Sequence, residues 1–301
     1  MLLPRSSFCT HHRVDRRPET AQSVACLASI LTSRPCSVHQ PTRSPDEAFR
    51  ILDLCSGTGC MSILLAYHLN QAAPPTTRSS VHVLGIDIST RALRLARRNA
   101  RRSLPLVDIT FARADVLVGP TAAPVSSYHS GRSGRAASPL HDVLSAYGTA
   151  HFDVLLANPP YVSRHAFAHD TTRSVRNWEP RNALVPPRTR ASGSTDDCAE
   201  ATPRHDGDVF YAPLIRAAAT VDARVTLLEV ADMAQALRVA SLACRAASAE
   251  TRGPGACKVL VEIWRDEPGL AGETVEMACL EDGVQVRVRG VGEGRSVVLW
   301  R

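Results

Sequence analysis

Asn158, Pro159, Pro160 and Tyr161 close the apolar run Phe152-Asp-Val-Leu-Leu-Ala157. A strand that stops on an amide, two prolines and an aromatic can set carbonyl acceptors and a ring around one planar NH2 group. An amide or aromatic amine is a weak nucleophile, because its lone pair is delocalised. If the Asn158 side-chain oxygen and the Pro159 carbonyl accept its two N–H groups, the nitrogen is oriented and gains electron density. In-line transfer of a methyl group to that nitrogen then rests on positioning and preorganised dipoles, with no general base required. Tyr161 is expected to stack on the planar group, and Pro160 to stiffen the loop.

A second set of residues is placed to hold the methyl donor. Asp53-Leu-Cys55-Ser56-Gly57-Thr58-Gly59-Cys60 follows one apolar run and opens another, with glycines that let backbone amides approach a ligand closely. It lacks the Gly-x-Gly-x-x-Gly fingerprint and the Gly-Lys-Ser/Thr loop, so it serves a pyrophosphate or triphosphate poorly. Asp87 ends the run Val81-His-Val-Leu-Gly-Ile-Asp87 and can accept from both hydroxyls of a ribose. Asp115, ending Asp108 to Asp115, can accept from an exocyclic adenine amine. Each acid alone reads equally as a helix cap or loop residue, and the turn alone as a plain strand-to-helix connection. Three carboxylates at three consecutive strand ends describe an adenosine-shaped pocket.

The elements that must position these groups alternate. Strands are expected at 50–55, 81–87, 108–115, 152–157, 223–230, 258–264 and 296–300. Helices are expected at 60–69, 90–102 with Ser89 as cap, 211–221 and 231–247. Strands separated by helices, several apolar throughout, imply an α/β fold with a doubly wound, mostly parallel sheet. The stretches 119–150 and 186–205 are rich in Ser, Ala, Arg, Thr, Pro and Gly and read as polar insertions, and 70–80 as a lengthened loop.

Composition sets the remaining bounds. The 301 residues are 44% hydrophobic, ample for a packed core, and carry a net charge of +6 spread over the basic first fifty residues and the insertions. Nine cysteines show no Cys-x-x-Cys or zinc spacing and read as free thiols. His165 and His169 stand one helical turn apart without a third ligand, so no metal site is expected. No apolar stretch approaches the roughly 20 residues that span a bilayer. Arg5, Arg13, Arg16 and Arg17 among serines suit a mitochondrial transit peptide, or equally a basic terminus.

Asp53-Leu-Cys-Ser-Gly-Thr-Gly59, Gly-Ile-Asp87 and Asn158-Pro-Pro-Tyr161 resemble the S-adenosylmethionine-dependent class I methyltransferases. Within them, Asn177-Trp-Glu179-Pro180-Arg-Asn-Ala183-Leu184, Asp206-Gly207 followed by Tyr211, and Leu227-Leu-Glu229-Val are similar to the HemK/PrmC family, which methylates the glutamine of the Gly-Gly-Gln tip of peptide chain release factors. Val261 to Asp266 and Gly292 to Trp300 resemble its fungal mitochondrial branch, and Val14 to Thr20 its Pro-Arg-Pro-Glu-Thr segment. The resemblance implies a seven-stranded Rossmann-like domain over 45–301, using S-adenosyl-L-methionine as cofactor. It implies that residues 1–44 are a remnant of, or linker from, a helical recognition domain. It implies that Cys55, Ser56, Gly57, Thr58 and Gly59 wrap the methionine part, with Asp53 beneath, Asp87 on the ribose, Asp115 and Val116 beside the adenine, and Asn158 facing both cofactor and acceptor. Val116 departs from the aromatic frequent at that place and offers only apolar contact. The chain is expected to act as a monomer on a release factor in the mitochondrion, meeting nucleic acid only through the ribosome.

Two alternatives stay open. Asn-Pro-Pro-Tyr does not separate glutamine from adenine, so methylation of DNA or RNA is one; a cofactor-binding scaffold without activity is the other.

Overall fold

The computed structural model describes residues 18–33, 48–72, 81–104, 107–118, 137–148, 151–187, 205–250, 259–270 and 276–301. Most of the 1–44 segment and of both expected insertions therefore lies outside the described residues, as do Val14 to Arg17.

In chain order the elements are α1 (Pro18–Thr32), β1 (Phe49–Leu54), α2 (Cys60–Ala72), β2 (Val81–Asp87), α3 (Thr90–Ser103), β3 (Asp108–Asp115), β4 (Ser138–Pro139), α4 (Leu140–Tyr147) and β5 (Val154–Ala157). There follow α5 (Arg164–His169), α6 (Arg173–Trp178), α7 (Tyr211–Thr220), β6 (Val225–Glu229), α8 (Met233–Glu250), β7 (Leu260–Glu267), β8 (Glu276–Cys279), β9 (Gln285–Arg289) and β10 (Val291–Trp300). Short 3-10 turns at Arg181–Ala183 and Asp206–Asp208 flank the second insertion.

The strands form one sheet in the order β4-β3-β2-β1-β5-β6-β10-β7-β9-β8. From β4 to β6 all pairs are parallel, while β10 runs antiparallel between β6 and β7. The doubly wound α/β class expected from the alternation is therefore present, with ten strands rather than seven. The additions are the two-residue β4 and the β8–β9 edge pair. Gln285-Val-Arg-Val-Arg289 alternates exposed and buried residues at the sheet edge, a pattern with too little apolar content to be read as a buried strand.

Each central strand buries both faces because helices cover both. Val24 and Leu27 of α1, Leu65 of α2 and Leu93 of α3 pack with Ile51, Val83 and Leu156 on one side. Leu214 of α7 and Val239 of α8 pack with Leu52, Leu84 and Leu155 on the other. Residues 18–32, within the segment expected to precede the catalytic domain, thus contribute to its core.

Chain order reverses beside β1: β2 lies on one side and β5 on the other. That crevice at the strand C-termini is where open α/β sheets take ligands.

Candidate active site

The register fixes who meets whom. Leu54 pairs with Ile86 of β2 and with Ala157 of β5, and Ala157 pairs with Leu228 of β6. One residue further, Asp87, Cys55, Asn158 and Glu229 come level on neighbouring strands, each step about 4.8 Å. The donor-holding turn and the Asn-Pro-Pro-Tyr loop are therefore adjacent.

The turn after β1 is tightly built. Cys55, Gly57 and Gly59 all have positive φ, at 58°, 54° and 75°. For Cys55 this is a strained conformation of the kind that collects at functional sites. Ser56 N–H donates to the Ile86 carbonyl at 2.9 Å, and Gly59 N–H to the Ser56 carbonyl at 2.7 Å. Beneath it lies Phe111, which sequence reasoning did not single out. A Cβ on Gly59 would stand 2.9 Å from its ring, and one on Gly85 only 2.4 Å. These two glycines are required by the ring, whereas a Cβ on Gly57 would meet nothing nearer than 4.0 Å, so its backbone faces open space.

Three carboxylates converge here as expected. Asp87 accepts from Gly57 N–H at 2.8 Å through one oxygen and from Ser89 N–H at 2.7 Å through the other. An ionised carboxylate offers about four acceptor positions, which leaves room for ribose hydroxyls. Asp115 accepts from Leu117 N–H at 2.9 Å with one oxygen, leaving the second open, and Val116 beside it is half-buried. Asp53 is 1% exposed and accepts from Ser62 Oγ at 2.6 Å. Burial pushes the Asp53 carboxyl up to about 7, and raises Asp87 and Asp115 as well. The Cys55 thiol is pushed well up by burial and then by Asp87, Asp53 and Asp115, so all three acids act on one sulfur atom. A thiol so held stays protonated and is no nucleophile at neutral pH.

Ser56 Oγ is buried without a hydrogen-bond partner among the described residues. An orphaned buried hydroxyl at a turn with open backbone fits a ligand that supplies the missing partner.

Asn158 is half-buried, Pro159 and Pro160 are buried, and the Asn158 side-chain amide makes no hydrogen bond among the described residues. Tyr161 differs from its expected role. Its side chain is 7% exposed within the core and its hydroxyl donates to Glu229 Oε1 at 3.4 Å, leaving little of the ring for an acceptor to stack on.

The remaining motif residues converge on this loop. Val162 N–H donates to the Leu184 carbonyl at 2.8 Å, tying in Trp178 to Leu184. Arg164, at the start of α5, pairs with Asp206 at 3.2 Å. A Cβ on Gly207 would stand 2.4 Å from the Tyr161 carbonyl oxygen. Asp208 receives Arg238 Nε at 2.7 Å and Gln235 Nε2 at 2.7 Å, while Gln235 Nε2 also reaches the Tyr161 carbonyl at 3.3 Å. Tyr211 donates to the Glu229 carbonyl at 2.9 Å, and Thr20 of α1 donates to Glu229 Oε2 at 2.6 Å. Ser62, Gln235, Asp208 and Arg238 carried no sequence signal, since their partners lie on other elements. Thr20 stood in a segment singled out by resemblance, without its partner being known. His165 and His169 stack at 4.6 Å between centroids, and no group of three metal-binding side chains occurs among the described residues.

Residues 45–123 match the family model of a methyltransferase domain. A Schizosaccharomyces pombe protein named "Probable MRF1 mitochondrial N(5)-glutamine methyltransferase mtq1" is 34% identical over 142 residues, 46% of this chain and 36% of that one. A release factor glutamine methyltransferase of Nitratidesulfovibrio vulgaris is 26% identical over 186 residues, 62% of this chain and 46% of that one. A ribosomal protein uL3 glutamine methyltransferase of Bradyrhizobium diazoefficiens is 30% identical over 124 residues, 41% of this chain and 28% of that one. The chain thus spans less than half the length of each of these curated relatives.

Proposed function

We propose that this chain transfers a methyl group from S-adenosyl-L-methionine to the side-chain amide nitrogen of a protein glutamine, that of the Gly-Gly-Gln tip of a peptide chain release factor, acting as a monomer in the mitochondrion. The observation that carries the reading is the Leu54–Ala157 pairing, which sets the Cys55–Gly59 turn beside Asn158 with its free amide. The methyltransferase-domain match supports the cofactor. Relatives named for glutamine, whether of a release factor or of ribosomal protein uL3, support glutamine over adenine as acceptor. The Schizosaccharomyces pombe relative, named as mitochondrial, supports the compartment. Among the described residues no helix is long and apolar enough to cross a membrane.

The residues fit the cofactor. Ser56 Oγ and the uncovered side of Gly57 would hold its methionine part, Asp87 its ribose, and Asp115 with Val116 its adenine. When bound, the cofactor supplies an electrophilic methyl on a cationic sulfur. Asp87 and Asp115, in their ionised form, would favour that charge. Asn158 Oδ1 and the Pro159 carbonyl accept the two N–H groups of the incoming amide. That contact would fix the nitrogen in line and raise its electron density as the new N–C bond forms and the methyl's bond to sulfur breaks, its electron pair going to sulfur. The nitrogen turns acidic as it gains the methyl, and its proton leaves to water. Tyr161, Gly207, Gln235 and Glu229 hold the loop in place.

The test is incubation with methyl-labelled cofactor and either a Gly-Gly-Gln release factor or adenine-containing RNA. Label on the glutamine is expected. Label on RNA alone would reassign the acceptor, and label on neither, with the cofactor bound, would favour a scaffold.

A further inference from the structure

Helix α3, Thr90-Arg-Ala-Leu-Arg-Leu-Ala-Arg-Arg-Asn-Ala-Arg-Arg-Ser103, carries six arginines and no acid. The apolar stripe, Leu93, Ala96 and Ala100, is buried against the sheet, and Asn99 reaches back to the Thr58 carbonyl at 3.1 Å. All six arginines are exposed. Arg97 donates to the Phe111 carbonyl at 2.7 Å, whereas Arg91, Arg94, Arg98, Arg101 and Arg102 have neither ion-pair nor hydrogen-bond partner among the described residues. Lys258 is the only lysine in the sequence, so the choice of arginine over lysine here carries nothing. The weight rests on the unbroken sign and the missing partners.

That arrangement works against the helix itself. Arg91, Arg94, Arg98 and Arg101 stand three or four residues apart on one face, where like charges destabilise. Arg91 also sits in the first turn, at the positive end of the helix dipole. Arg101 and Arg102 sit favourably in the last turn, but the run of like charges along the face breaks the spacing rule and marks a place where an external anion relieves the repulsion.

We propose that the exposed face of α3 binds the phosphate backbone of single-stranded RNA. Successive members of the stripe rise about 4.5–6 Å along the axis, so several guanidinium groups meet several phosphates in a row. Each planar fork matches a phosphate bidentately. Arg97 and Arg101 also line a cleft of about 330 Å³ between α3 and β3, whose other walls are mostly apolar, among them Leu104, Val107 and Ile109. A lipid surface fits less well, because the apolar stripe that an interfacial helix inserts is already buried in the protein. The site binds by charge, on a helix that begins at Ser89 and leads away from Asp87, and is separate from the nitrogen-methylation loop.

The experiment measures fluorescence anisotropy of a labelled uridine 12-mer over a range of salt. Uracil carries no amino group, so binding cannot report adenine in the catalytic crevice. Three to five phosphate contacts give a slope of log K against log salt of about −2 to −3.5. Arg94→Gln/Arg98→Gln/Arg101→Gln is expected to weaken binding at low salt at least ten-fold and to flatten the slope by about 2, with melting temperature unchanged or raised by the relief of like-charge repulsion and S-adenosylmethionine affinity unchanged. A wild-type slope shallower than about −1, or an equal affinity in the folded variant, would overturn the proposal. Should the triple variant not fold, Arg98→Gln/Arg102→Gln is read the same way. Equally tight wild-type binding to phosphatidylserine vesicles or to polyglutamate would overturn the assignment to RNA.

Discussion

Tyr161 donates its hydroxyl to Glu229 Oε1 at 3.4 Å, joining the loop after β5 to the end of β6. The same carboxylate receives Thr20 Oγ1 on its other oxygen at 2.6 Å. Glu229 is 2% exposed, so removing either donor takes one hydrogen bond from a buried acceptor. Thr20→Val keeps the shape of the side chain but loses the shorter bond. It is expected to cost about 1–3 kcal/mol in urea unfolding and to lower kcat while S-adenosylmethionine affinity stays within about threefold. A variant as stable and as active as wild type would remove Glu229 from the account of how the loop is held.

Ser56→Ala reports on the cofactor fit without touching the acceptor side. The Ser56 hydroxyl has no partner among the described residues, so its loss should leave the melting temperature of the free protein unchanged or raised. Titration calorimetry should show weaker cofactor binding, by about ten-fold, the loss expected for one hydrogen bond. Full affinity in the variant would mean that the cofactor does not reach this hydroxyl.

Asp53 gives stability a defined pH dependence. The folded carboxyl titrates near 7 while the ordinary value is 3.8, so the folded state keeps a proton that the unfolded chain has released between those values. Stability from this group is therefore complete below about pH 3.8 and lost as pH rises through about 7. Between about pH 5.5 and 8.5 the loss is about 2 kcal/mol, at 1.36 kcal/mol per unit over the unit and a half below 7. Asn at this position lacks the titration. Urea unfolding should show Asp53→Asn gaining on wild type by about that amount over the interval, and parallel pH curves for the two proteins would contradict the burial argument.

Gly207→Ala tests the clamp on the loop. The new Cβ would sit 2.4 Å from the Tyr161 carbonyl, a backbone atom that cannot rotate away. Overpacking of this kind costs about 1–3 kcal/mol. Turnover should fall at least ten-fold with cofactor affinity nearly unchanged, since the turn after β1 is a separate element. A loss of cofactor affinity to match would show that the two halves of the site are not independent.

The strands and the acids at their ends were legible because a buried parallel strand is written as a continuous apolar run. Ser89 likewise announced α3, and its side-chain oxygen does accept from Ala92 N–H. Helices α5 and α6 were not legible: each has six residues and no buried side chain, and they are held by caps at Ser163 and Thr172. Around the crevice, the places of Asp87, Asp115 and Asn158 were legible because each lies at or just after the end of a strand. Phe111 was missed because the need for Gly59 and Gly85 shows only once the ring is in place. The Thr20–Glu229 contact spans 209 residues, and no local pattern encodes such a pair.

The central claim is that Asn158 orients the acceptor nitrogen beside a cofactor site that stands without it. Single-turnover transfer of labelled methyl to a Gly-Gly-Gln release factor, measured for wild type and Asn158→Ala together with S-adenosylmethionine affinity, addresses it most directly. The account predicts a rate lower by about 10²–10³-fold, the scale of one lost preorganised contact, with cofactor affinity within about threefold. Undiminished transfer by the variant would contradict it.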